Sequence, residues 1–261
     1  MTTLPAVAPP LAPKSRWKRD LTPSAATEWL AAGWRDLLVR PSTSLVYGAS
    51  VFLISVATVI GLFRFGWDYI LFPAFAGFMV VGPILAVGLY EKSRRIELGM
   101  PFSLRDMLFV KAASSGQLLF MGVLLCMLML LWMRTAVIIY ALFFGLRPFP
   151  GLEHVAAMLF TTGTGWAMLI VGTAIGGLFA AFALAISAFS VPMMLDQRID
   201  ALTAMGRSTA LVWHNLPVML TWGAIVVGLF LVGLATSLLG LIIVFPVLGH
   251  GTWHAYRAMR D

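Results

Sequence analysis

"LFPAFAGFMVVGPILAVGLYEKSRR", residues 71–95, runs for twenty positions without a charge and then ends in Glu91, Lys92, Arg94 and Arg95. A helix needs roughly 20 apolar residues to cross a bilayer, and Lys and Arg collect on the cytoplasmic flank of such spans. The stretch therefore reads as a membrane span that finishes on a basic inner end. Its Gly77, Gly82 and Pro83 are sites where that helix can kink.

The rest of the chain follows suit. Of 261 residues, 60% are hydrophobic and 11% charged, with a mean hydropathy of +0.92, against about 25% charged residues in soluble domains. The expected fold is an all-α polytopic membrane protein with about six transmembrane helices. They run at about Ser44 to Phe63, Tyr69 to Tyr90, Gln117 to Phe144, Gly163 to Pro192, Leu216 to Ser237 and Leu238 to Tyr256. Six Lys or Arg precede the first span, five lie between the second and third, two between the fourth and fifth, and two follow the sixth. Only Arg64, Arg134 and Arg147 fall toward the opposite side, so the positive-inside rule places both termini in the cytoplasm. The charge of +7 and pI near 10.1 sit in short clusters between apolar runs, which points to anionic lipid headgroups rather than nucleic acid. Cys126 is the single cysteine, which leaves no intrachain disulfide and no cysteine cluster for zinc or iron–sulfur.

Pairing the spans exposes a threefold repeat, at about 24–99, 100–198 and 199–261, in which each hairpin of two spans follows an amphipathic interfacial helix. The first unit opens with "TEWLAAGWRDLLVR", where Leu30, Trp34, Leu37 and Leu38 share a face, then the break "PSTS" and Gly48. The second opens with "SLRDMLFVKAA", with Leu104, Met107 and Leu108 on one face and Ser103 and Asp106 spaced as a capping box, then "SSGQ" and Gly122. "IDALTAMGRSTALVW", "HNLP" and Gly223 open the third. Each pair closes on a proline ahead of a basic end, at Pro83, Pro192 and Pro246. Residues 1–23, rich in Pro and Ala, read as a disordered cytoplasmic tail, and 24–261 as one integral membrane domain. The middle unit carries an outer insertion across residues 135–162, either an interfacial loop or a re-entrant segment.

Candidate chemistry is sparse. His250 and His254, at i and i+4 on one helix face, have the spacing by which two imidazoles can share a metal or approach a haem, and His214 on the same membrane side is a third candidate ligand. A helix end in which both histidines serve the dipole and the interface is the simpler reading. No carboxylate lies deep in any span, which removes the usual machinery of proton- or sodium-coupled transport. Arg134 reads as a snorkelling cation or, alternatively, a substrate contact. Gly172, Gly176 and Ala180 form a small-residue row suited to close helix packing, within the chain, in a homo-oligomer or against a partner. Nucleotide-binding, metalloprotease, hydrolase and dinucleotide motifs are all missing, so no enzyme activity is expected.

Through "LFPAFAGFMVVGPILAVGLYEKSRR", "VPMMLDQRIDALTAM" and "FPVLGHGTWHAYR", the sequence resembles a bacterial family of predicted integral membrane proteins of unknown function. The likeness runs from about Trp29 to Arg257, and "GHGTWHAYR" is close to the family's typical "GHATWHAYR". Some members are labelled cytochrome c oxidase subunit I, and the resemblance implies such a label here. Four histidines are fewer than a haem–copper catalytic subunit uses. The expected function is therefore a non-catalytic accessory, scaffold or assembly component of the inner membrane, in contact with lipids or with other membrane proteins such as a respiratory complex. Alternatives are a passive or lipid-like transporter, and a haem- or metal-binding respiratory subunit. No cofactor is expected on the first reading.

Overall fold

The computed structural model describes residues 16–145 and 149–260. Among them the regular structure is helical throughout: α1 Ala25–Leu38, α2 Pro41–Arg64, α3 Leu71–Leu85, α4 Val87–Glu97, α5 Leu104–Leu108 and α6 Ser115–Phe144. There follow α7 Leu152–Thr161, α8 Gly163–Ser187, α9 Ser190–Asp196, α10 Ala201–His214, α11 Leu216–Ala235 and α12 Leu241–Met259. Arg147 and the first fifteen residues of the expected tail lie outside the described residues.

Five stretches are long and apolar enough to cross a membrane: Pro41–Arg64, Asp68–Glu97, Ser115–Phe144, Gly163–Asp196 and Leu216–Ala235. The protein is an integral membrane protein with several apolar helices. The second and fourth of these stretches reach past their expected ends at Tyr90 and Pro192, and each is broken toward its C-terminal end, α3 from α4 at Ala86 and α8 from α9 at Ala188 and Phe189. Helix α12, expected as the sixth span, is not among the five. Its second half, "GHGTWHAYRAM", is too polar for hydrocarbon, and protein covers it instead: Gly249, His250, Gly251, Trp253, Ala255, Tyr256 and Met259 are all buried.

The units interleave. Helices α1 and α2 of the first unit pack on α12 of the third, α5 and α6 of the second pack on α4 and α3 of the first, and α10 of the third packs on α8 and α9 of the second. The expected opening helices α1, α2, α5, α6 and α10 thus lean on helices of another expected unit, while α11 packs on α1. Within units, α6 also packs on α8 and α11 on α12, while α2 and α3 stay apart along their lengths.

Glycines set these approaches. A Cβ at Gly48 would stand 2.2 Å from the carbonyl oxygen of Ile242 and 2.9 Å from the Pro246 ring. Pro246 has no N–H for the carbonyl four residues back, so Gly48 lies against the very carbonyl that the proline leaves without its helical bond. A Cβ at Gly33 would meet the backbone of Val247 and Gly251 at 2.5 Å. This contact shows which face of α1 the protein covers. Trp34 and Leu38 are 47% and 55% exposed, whereas Ala26, Trp29, Ala32, Gly33, Asp36 and Leu37 are buried. Small residues win that face because only they let two backbones approach.

The turn from α1 to α2 is made by Arg40 at φ 53°, followed by Pro41 in the first helical turn, a position where its missing N–H costs nothing. The capping box at Ser103 and Asp106 forms as expected: the Ser103 amide donates to Asp106 Oδ2 at 2.9 Å, and Ser103 Oγ caps the Asp106 amide. Before α1, Trp17 and Leu21 pack against the core, and the Asn215 side chain bridges the Arg19 amide and the Trp17 carbonyl. Residues 16–23 are thus tied to the start of α11 rather than trailing freely.

Candidate functional site

One end of the molecule gathers α1, α4, α5, α9, α10, the starts of α2, α6 and α11, and the second half of α12. Glu91 is 2% exposed, Lys92 and His250 are 0%, Ser44 is 0% and Ser93 is 1%. Burying such groups is costly unless each finds a partner, and among the described residues no buried side-chain nitrogen or oxygen lacks one.

At the centre is His250. Its Nε2 lies 2.9 Å from Ser44 Oγ and its Nδ1 2.8 Å from Ser93 Oγ. Lys92 Nζ donates to the same Ser44 Oγ at 2.8 Å, and the Ser93 hydroxyl lies near the Asp36 carboxylate. A hydroxyl has one proton to give, and one assignment lets each member donate toward Asp36. Lys92 donates to Ser44, Ser44 donates to Nε2, Nδ1 donates to Ser93, and Ser93 keeps its proton for Asp36. The chain runs with one polarity from a buried ammonium to a buried carboxylate, with a neutral imidazole between them.

Asp36 also takes the Nε2 of His254 at 2.9 Å. Burial pushes its carboxyl up, but the hydrogen bond with His254 and the nearby Ser93 hydroxyl outweigh that and hold it below the ordinary carboxylate value. Lys92 is further held by the Arg40 carbonyl at 3.4 Å and lies 5.2 Å from the centre of the Phe102 ring.

The rest of α12 is fastened in the same manner. Trp253 Nε1 donates to Glu97 at 3.2 Å, and Arg257 pairs with Glu97 at 2.5 Å. Tyr256 donates to Asp196 at 2.9 Å, Gln197 donates to Tyr256, and Arg260 pairs with Asp196. Glu91 is clasped by Arg94 and Arg95 at 2.8 and 2.7 Å. Every polar side chain of "HGTWHAYR" has work in joining α12 to α1, α2, α4 or α9, or to its own backbone.

The three histidines proposed as ligands do not converge. His250 spends both ring nitrogens on serines, His254 bonds Asp36, and His214 is exposed with Nδ1 2.8 Å from the Ala210 carbonyl of its own helix. Among the described residues no group of three or more His, Cys, Asp or Glu could hold a metal ion. The i, i+4 spacing of His250 and His254 instead sends two side chains from one helix face to two different rows of partners.

The small-residue row divides. A Cβ at Gly176 would meet the Trp132 ring at 2.9 Å, so this glycine serves contact between α6 and α8. Gly172 has open space at its Cβ, and Ala180 is exposed. Arg134 is exposed on α6.

Lys92, Ser44, Ser93 and Asp36 escaped the sequence reading because each looks like ordinary flank chemistry. Asp36 had one readable sign: it stands at helical spacing from Trp29, Ala32 and Gly33, on a face otherwise without charge.

No curated protein and no solved structure matches the chain. Residues 71–196, from the start of α3 to the end of α9, lie within the range of the resemblance noted in the sequence, while "GHGTWHAYR" falls outside them. This segment matches the model of the family described as "Predicted integral membrane protein (DUF2189)".

Proposed function

We propose that the protein crosses the bacterial inner membrane six times, keeps both termini in the cytoplasm, and acts as a non-catalytic accessory, scaffold or assembly component for other membrane proteins or lipids. The sixth crossing is α12. It runs antiparallel to α2, with Ile242 and Pro246 beside Gly48 and His250 beside Ser44. Its nineteen residues span about 28 Å, close to a hydrocarbon thickness of ~30 Å. Protein shields the half that lipid could not accept.

The observation that carries the functional reading is the closure of the polar end. Its charged and hydrogen-bonding groups are occupied with one another, which leaves a rigid frame rather than a chamber for chemistry. The apolar helices that the frame holds present broad surfaces outward: Leu53 is 63% exposed, Leu119 72%, Leu142 77% and Leu178 72%. Surfaces of that kind suit lipid and neighbouring helices.

Purification of the tagged chain from native membranes in a mild detergent, followed by mass spectrometry, tests the reading. A second membrane protein in stoichiometric amount is the expected result. Recovery of the chain alone, under conditions that keep known complexes whole, overturns the scaffold assignment.

A further inference from the structure

Helices α2 and α3 are joined at one end by Gly66 at φ 68° and a short 3₁₀ turn at Asp68–Ile70, and at the other they are held by different neighbours. Between them lies a cavity of about 140 Å³, lined on α2 from Val51 to Leu62 and on α3 from Leu71 to Leu85. Its floor is Phe230, Leu238 and Leu241. Phe78 reinforces that floor, stacked on Phe230 at 5.7 Å between ring centres and tilted against Phe245 at 5.9 Å. Only Ser55 and Thr58 bring hydroxyls to the lining, and Thr58 spends its proton on the Ile54 carbonyl of its own helix.

The geometry points to a binding site for one acyl chain of a phospholipid. Both walls are membrane-spanning stretches, so the medium that enters is hydrocarbon. From Val51 to Leu62 the slot is roughly 16 Å long at the rise of an α-helix, about half the ~30 Å of a bilayer core. That is the depth of a single leaflet. Tyr47 closes the region beyond its inner limit by donating to the Leu85 carbonyl at 2.7 Å. Leu238 lines the slot from a φ of 69°, a backbone conformation uncommon for a residue with a side chain. The tight turn between α11 and α12 thus holds that side chain in the slot.

The headgroup end carries complementary charge. Arg64 ends α2, Asp68 opens the turn, and no ion pair joins them among the described residues. Trp67 and Tyr69 beside them, 53% and 44% exposed, suit the level of the headgroups. A cation and an anion four residues apart at this end of the slot match a head that bears both phosphate and ammonium, so the ligand class is a zwitterionic phosphatidylethanolamine. This site does not depend on whether a partner protein binds elsewhere.

The test uses the full chain in nanodiscs that contain phosphatidylethanolamine with a diazirine in the middle of one acyl chain. After irradiation, peptide mass spectrometry should place adducts on Ser55, Thr58 and Ala74 in excess over Leu53 and Ile60, which face outward on α2. An even spread around α2 overturns the proposal, since it describes ordinary surrounding lipid. So does a dimer contact mapped to the slot without lipid adducts. Ala74→Phe, which fills the slot, should reduce the phosphatidylethanolamine retained in native mass spectra to background with helix content intact; retention equal to the unaltered chain overturns the site. Arg64→Gln should lower retention a few-fold, and an unchanged value overturns the headgroup assignment. A chain that purifies without protein partners but carries this lipid would remove the scaffold reading and leave the site standing.

Discussion

Lys92 and Leu53 reverse the expectations of a soluble protein: the lysine is 0% exposed and the leucine 63%. The two stand for two regions. At the charged end, ionic and hydroxyl groups from helices far apart in sequence are enclosed together, and α12 is clasped from several sides. Along the spans, many large apolar side chains point outward, and the helices touch through some of their glycines, a few rings and a minority of buried side chains such as Val80, Met121 and Leu125. In water the hydrophobic effect would forbid the second arrangement. In lipid it does not operate between helices, and van der Waals packing and hydrogen bonds are left to hold them. The stiffness of this molecule therefore concentrates where the polar contacts are, and the apolar part stays free to meet what surrounds it.

The largest expected effect comes from cutting the polar chain at its anion. Asp36→Ala takes the acceptor from His254 and the anion from the end of the chain that starts at Lys92, and leaving such a buried group unsatisfied costs about 1–3 kcal/mol, more where the group is charged. Thermal unfolding in detergent should show it as a large loss of stability. A partial recovery in Asp36→Leu combined with Lys92→Met is the companion result, because the two changes share one network; strict additivity would break the chain as assigned. Acid acts in the same direction and more weakly. Because the Asp36 carboxyl is held below its ordinary value of 3.8, the stability it contributes is present above that value and is lost as the pH falls through the folded one.

Next in size is Gly48→Val. Its Cβ would overlap the Ile242 carbonyl, and overpacking of this kind costs roughly 1–3 kcal/mol. Since the contact belongs to both regions, a cysteine cross-link between α2 and α12 should slow or fail in the variant. An unaltered cross-linking rate and unfolding temperature would show that the α2–α12 contact is looser than described.

The smallest effect belongs to the spans. Gly172→Leu has open space before it and should change stability by less than about 0.5 kcal/mol, while Gly176→Leu, opposed by Trp132, should cost more. If Gly172→Leu leaves the fold unaltered but reduces the amount of a co-purifying membrane protein, the exposed part of the row is an interface. Equal stability losses for the two variants would erase the distinction between packed and open glycines on α8.

Much of the fold was legible in particular residues. Charge-free runs that end in Lys and Arg marked the spans, and Ser103 and Asp106 marked the start of α5. The polarity of "GHGTWHAYRAM" was visible too, but its consequence was not. A polar helix end can face water or be sheathed by protein, and local spacing is the same in both cases. The histidine pair shows the limit clearly: i, i+4 spacing established a shared face and nothing about what that face would meet.

By itself, then, the sequence determined the medium and the elements: an all-helical chain for lipid, punctuated by prolines and basic flanks, since apolar length and charge position act locally. Only the tertiary structure decided that α12 is wrapped by α1, α2 and α4, that Ser44, Ser93 and Asp36 meet across it, and that a slot remains between α2 and α3. Those outcomes depend on which backbones can come close, and a few glycines arbitrate that between helices some two hundred residues apart.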